Sequence, residues 1–110
     1  MKRYEKVIAI LDTAVGGNNI GRHGAFWRGL TLETFKQRNV MGLPLILPGD
    51  GANSNIILAL RGQFPFGEDI GTLGARYPQM PVGYPPVPED RIAFIEQWIS
   101  DGCPDDDIPA

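Results

Sequence analysis

Residues 80–104 read MPVGYPPVPEDRIAFIEQWISDGCP, and this stretch decides the fold. It starts as a Pro/Gly-rich loop carrying Met80 and continues as a short amphipathic helix. Ile92, Ile95, Trp98 and Ile99 fall at offsets of three, six and seven, one stripe of an α-helix. Phe94 broadens that stripe, while Arg91, Glu96 and Gln97 lie off it. Pro88 suits the first turn, where a missing N–H does no harm. Glu89 and Asp90 then sit at the positive end of the helix dipole. Gly102 is placed to take the left-handed conformation that ends a helix, and Pro104 blocks continuation.

Working outward, Tyr4, Val7, Ile8, Leu11 and Val15 recur at three- and four-residue steps and predict a first helix over residues 3–15. Gly16-Gly17-Asn18-Asn19 ends it. Residues 18–30 read as a loop with two large aromatics, Phe26 and Trp27. Thr31 is an N-cap for a short helix over 32–38, closed by Asn39. Gly42-Leu-Pro-Leu-Ile-Leu-Pro-Gly49 is bounded by prolines and reads as an extended apolar connector. Asp50 is then the expected cap of a helix over about 52–61, with Ile56, Ile57, Leu58 and Leu60 on its apolar face. Residues 62–87 form a long loop, and loops of this length in a small domain are usually functional. The expectation is an all-α domain over residues 1–104 with about four short helices, followed by a frayed acidic tail, 105–110.

Composition agrees with a single folded domain. The chain has 110 residues, 43% hydrophobic and 21% charged. Glycine (14) and proline (10) are high, as expected where loops are long and elements few. The net charge of −3 hides an asymmetry. Residues 1–61 hold eight Lys/Arg against four acids, and residues 62–110 hold two against nine. The simplest reading is that the halves attract each other. No basic cluster is dense enough for a nucleic-acid face. Cys103 is the only cysteine, so an internal disulfide is ruled out. The apolar run Val7–Leu11 is cut by Asp12, which argues against a signal peptide. No apolar stretch is long enough to span a membrane. These features predict a cytoplasmic protein.

The order of several motifs resembles a known family. The run Gly42–Asp50, then Ser54, Ile57 and Leu60, then Gln79-Met80-Pro81, then Pro86–Ile92 and Trp98–Pro104 are similar to the cytochrome c-like domain family in its planctomycete-type layout. The likeness covers roughly residues 3–104. It implies an N-terminal helix crossed by a C-terminal helix, and a methionine in a Pro-rich loop as an iron ligand.

The haem-attachment motif of that family is missing. Covalent haem requires C-x-x-C-H, two thiols for the thioethers and a histidine for iron. The corresponding segment is Asn19-Ile20-Gly21-Arg22-His23. Asn19 and Arg22 stand where the cysteines belong, and neither forms a thioether. The lack of a signal peptide points the same way, since the family attaches haem outside the cytoplasm. Aromatics are the natural replacement for the porphyrin, since an empty slot that size is costly. Phe26 and Trp27, with Phe64, Phe66, Tyr77 and Tyr84 in or near the long loop, are the candidates. At roughly 25 cal/mol per Å², three or four contribute on the order of 10–20 kcal/mol as an upper bound.

Two functional readings follow from the resemblance. In the first, the domain is a haem-free, non-catalytic interaction or accessory module with no cofactor, docking on a protein partner, a redox enzyme by analogy. Its docking surface is the 62–88 loop, with Tyr77 and Tyr84, and the Phe26-Trp27 region. An alternative for those residues is that they cover the domain's own core. In the second reading the domain is an electron carrier, with non-covalent haem ligated by His23 and Met80. The competing view of this pair is a remnant histidine and a methionine used as packing filler. Other motifs carry less. Gly16–Gly21 follows a helix and lacks the Gly-Lys-Ser/Thr ending of a phosphate loop. Cys103 has no helix N-terminus to activate it and reads as an inert thiol. Glu68-Asp69 and Glu89-Asp90 read as solvated charge. One histidine and scattered carboxylates do not make a metal site.

Overall fold

A computed structural model describes residues 2–16, 27, 30–40, 42–81 and 84–108. Its regular structure is mostly helical. In chain order the elements are α1 (Arg3–Ala14), α2 (Leu32–Lys36), β1 (Asn39–Val40), β2 (Leu43–Pro44), α3 (Asn55–Arg61), a 3-10 turn (Glu68–Ile70) and α4 (Glu89–Ser100). The two strands are two residues each, paired antiparallel with Asn39 opposite Pro44. Asn39 therefore enters a strand instead of closing α2, which ends at Lys36 with Gln37 as its C-cap. Among the described residues, no helix is long and apolar enough to cross a membrane.

α4 is the organising helix. Its stripe of Ile92, Ile95, Trp98 and Ile99 is buried, and it packs against both α1 and α3. Pro88 stands at the N-cap, one residue before the position expected for it, and Gly102 follows Asp101 in the left-handed region (φ 93°). From α1, Val7, Ile10 and Leu11 face the same core. Trp98 is the meeting point. Its indole stacks on Tyr4 of α1 at 5.8 Å between centroids and meets Phe35 of α2 edge-on at 6.2 Å. Tyr4 and Phe35 are themselves in edge contact at 5.7 Å. α1, α2 and α4 thus share one aromatic cluster. Thr31 caps α2 as its sequence predicts, accepting the Thr34 N–H through its side chain.

The connector 45–54 fastens α3 to α4. The Gly49 N–H donates to the Ile99 carbonyl (2.9 Å), and the Gly51 N–H donates to Ser100 Oγ (3.0 Å). Gly51 has to be glycine, because a Cβ there runs into the Glu96 carbonyl and the Ser100 side chain. The cap of α3 differs from expectation. α3 begins at Asn55, and Ser54 rather than Asp50 precedes it. Asp50 instead accepts from the N–H and side-chain amide of Asn53. Ser54 is fully buried; its Oγ accepts the Leu47 N–H (2.9 Å) and donates to the Asp50 carbonyl (2.8 Å). Across the outer face Arg61 of α3 bridges Glu89 (2.6 Å) and Glu96 (2.8 Å) of α4. Glu89 is therefore an ion-pair partner and not free solvated charge.

The acidic tail is fixed through Asp107. The Arg3 N–H donates to the Asp106 carbonyl (2.8 Å), and Lys2 and Asp107 form an isolated antiparallel bridge. The segment expected to fray is docked in the folded structure, where Arg3 supplies both a backbone and a side-chain partner.

Candidate functional site

The loop between α3 and α4 is the candidate site, and its shape is set by hydrogen bonds from both ends. It leaves α3 through Gly62 in the left-handed conformation (φ 68°). The Thr72 hydroxyl donates to the Gly62 carbonyl (2.6 Å), and the Arg76 and Tyr77 N–H groups share the Pro65 carbonyl (2.9 and 3.1 Å). The chain then returns to the helix it left. Gln79 donates through its side chain to the Leu60 carbonyl (3.0 Å), and the Met80 N–H donates to the Ala59 carbonyl (2.9 Å). Asp69 accepts the Gln79 N–H (2.8 Å), so it is a structural acceptor and not merely solvated charge. Gly67 is the tight point. It has φ 95°, and a Cβ there would meet the Gly62 carbonyl and the Thr72 hydroxyl.

This well-fastened loop holds apolar side chains out of the core. Leu73 is 94% exposed, Phe64 61% and Ile70 56%. The Phe64 ring lies over Gly74, and the end of Ile70 lies over Gly62. Elsewhere among the described residues, Leu47 is the one other exposed large apolar side chain. The neighbouring Glu68 and Arg76 are also exposed. A loop with few internal bonds could fold such residues inward; this one has its path fixed and presents them.

The predicted site residues divide into three groups. His23 and Phe26 lie outside the described residues. Trp27 is buried (3% exposed), belongs to the main core, and its indole N–H donates to Asp12 (2.7 Å). Met80 and Tyr84 are half-buried and pack against that core, and Val87 is buried in it. The 78–88 segment thus covers the domain's own core over these positions. Tyr77 is half-buried in a separate small cluster within the loop, its ring 5.4 Å from that of Phe66. Phe64 turns outward, away from the role of core filler. Phe35, absent from the sequence-based candidates, is fully buried instead.

No family model, curated protein or solved structure matches the chain.

Among the described residues, no group of three or more His, Cys, Asp or Glu side chains could hold a metal. Burial pushes the Cys103 thiol up to about 11, which keeps it protonated and unreactive at neutral pH. The strongest electrostatic features are the two arginine bridges. Asp106 and Asp101 push the Arg3 guanidinium up, and Arg3 in turn holds both carboxyls below the usual range. Arg61 is pushed up by Glu96 and Glu89. Both bridges join elements distant in the chain, which is a structural role.

Proposed function

We propose that the chain is a haem-free domain of cytochrome c-like architecture, working as a non-catalytic module that docks on a protein partner through its 62–88 loop. The observation that supports this reading is the exposure of Leu73, Phe64 and Ile70 on a loop tied at both ends to α3. Each such side chain contributes about 1.5–3 kcal/mol when fully buried in an interface. Three on one fixed loop are the kind of anchor that protein interfaces use. A redox enzyme as the partner follows from the family resemblance alone.

Covalent haem does not fit the residues present. A covalent porphyrin needs two thiols ahead of its histidine, and the chain's single cysteine, Cys103, is buried beyond the end of α4. Met80, the second ligand in the carrier reading, is half-buried against the main core.

The experiment is affinity capture from the native cell extract with the wild-type domain and with a Phe64→Ser/Leu73→Ser double variant. The wild type should retain a discrete protein. The purified complex should weaken by roughly a hundredfold in the double variant, with unchanged circular dichroism. Capture indifferent to the double change would remove the loop from the interface. A haemin titration separates the carrier reading. A sharp Soret band lost in His23→Ala would establish the electron carrier and overturn the module.

A further inference from the structure

The segment after α4 is built as a strap with a small plug inside and a charged latch outside. Inside, Cys103 is 1% exposed and belongs to the main core. Its N–H donates to the Trp98 carbonyl (2.9 Å), and the Trp98 indole N–H donates to the Pro104 carbonyl (2.9 Å). Cys103 also adopts φ 57°, a conformation that disfavours a side-chain-bearing residue. Outside, Arg3 makes most of the bonds that hold the segment to α1, beside the Lys2–Asp107 bridge. Arg3 Nη1 donates to Asp101 (2.7 Å), and its Nε and Nη2 donate to the two oxygens of Asp106 (2.8 and 2.9 Å). The Arg3 backbone N–H adds a fourth bond, to the Asp106 carbonyl.

What the strap lacks is apolar mass. Asp101, Gly102, Asp105, Asp106 and Asp107 are exposed, and Cys103 is the only buried side chain between 101 and 107. Opening it surrenders one thiol's packing, one indole hydrogen bond, a few backbone hydrogen bonds and the Arg3 ion pairs. It leaves Ile92, Ile95, Ile99, Ile57, Val7 and Phe35 in place. Segments with so few buried contacts open locally, well below the free energy of global unfolding.

We propose that residues 101–107 open as a unit from an otherwise folded domain, with Arg3 as the latch and the Cys103 side chain as the plug. Closed, the strap keeps the thiol from reagents in solution. Open, it hands the thiol to solvent. A group added to the sulfur cannot return to a site with 1% exposure, so modification of Cys103 holds the strap open.

The test is the rate at which N-ethylmaleimide labels the intact protein at fixed pH and low salt. The Cys103 thiolate adds across the maleimide double bond, a C–S bond forms, the adjacent carbon takes a proton from water, and nothing leaves. Two exposed ion pairs on one guanidinium set the expected scale, so Arg3→Gln should label about tenfold faster than wild type. Asp106→Asn should label several-fold faster. High salt should speed the wild type and have little effect on Arg3→Gln. Arg61→Gln is the control, because it removes ion pairs of the same kind away from the strap. It should lower the urea midpoint without matching the acceleration seen in Arg3→Gln. In the labelled wild type, hydrogen exchange should lose protection at the Arg3 and Cys103 amides while the amides of Ile95 and Ile99 keep theirs. Equal labelling of wild type and Arg3→Gln would overturn the proposal. So would labelling that follows global stability across all variants, Arg61→Gln included.

Discussion

Ser54 shows how one hydroxyl can fix a corner. It sits fully buried between the connector and α3, accepting from Leu47 and donating to Asp50. Ser54→Ala leaves the Leu47 N–H without its side-chain acceptor and removes the bond to the Asp50 carbonyl. The expected cost is about 1–3 kcal/mol, read as a lower urea midpoint with an unchanged slope. The sequence directs attention to Asp50, whose type and place suit a cap equally well. Nothing local distinguishes the two, because the deciding partner, Leu47, comes from a connector whose path is tertiary. Phe35 is obscure for a similar reason: a five-residue helix is too short to show a periodic face. Arg3 is harder still. Its partners, Asp101 and Asp106, lie nearly a whole chain length away, and no spacing rule links them.

At the scale of elements, α1 and α4 are legible almost to the residue, since each repeats its apolar positions over three turns and has punctuation at its ends. The short pieces are not, and neither is the loop's inner wiring. Glycine and proline counts announce a loop at 62–87 but do not say that it is tied down. Gly67 carries much of that geometry. Gly67→Ala adds a Cβ against the Gly62 carbonyl and the Thr72 hydroxyl, at a positive φ. The expected result is a loss of about 1–3 kcal/mol together with loss of amide protection at Thr72 and Gln79, while α1 and α4 keep theirs. Hydrogen exchange followed by mass spectrometry reads both. Protection unchanged at Thr72 would mean that the loop path does not depend on this glycine. The site's apolar residues are individually visible in the sequence. Their exposure is not, because hydrophobicity alone assigns Phe64 to the core as readily as Phe35.

For the whole molecule, Trp98 is the side chain at which three helices meet. The indole contacts α1 and α2 from α4 and is 0% exposed. Trp98→Ala should cost about 3–5 kcal/mol, a large share of the 5–15 kcal/mol typical of a domain. A thermal melt should fall by more than about 10 °C. Trp98→Phe should recover most of the loss, though not the hydrogen bond to Pro104. A variant that melts within a few degrees of wild type would show that the three helices do not depend on this contact. The charge asymmetry read from the sequence also appears at this scale. Arg3 and Arg61 from the basic half meet Asp101, Asp106, Glu89 and Glu96 from the acidic half.

The excursion between α3 and α4 has a geometric consequence of its own. Its departure at Gly62 and its arrival at Gln79 and Met80 both fasten to the final turn of one helix. Start and finish are therefore neighbours, as in a handle riveted at a single plate. Evolution or an engineer can lengthen, shorten or exchange such a handle and leave the plate's bearing on α4 undisturbed.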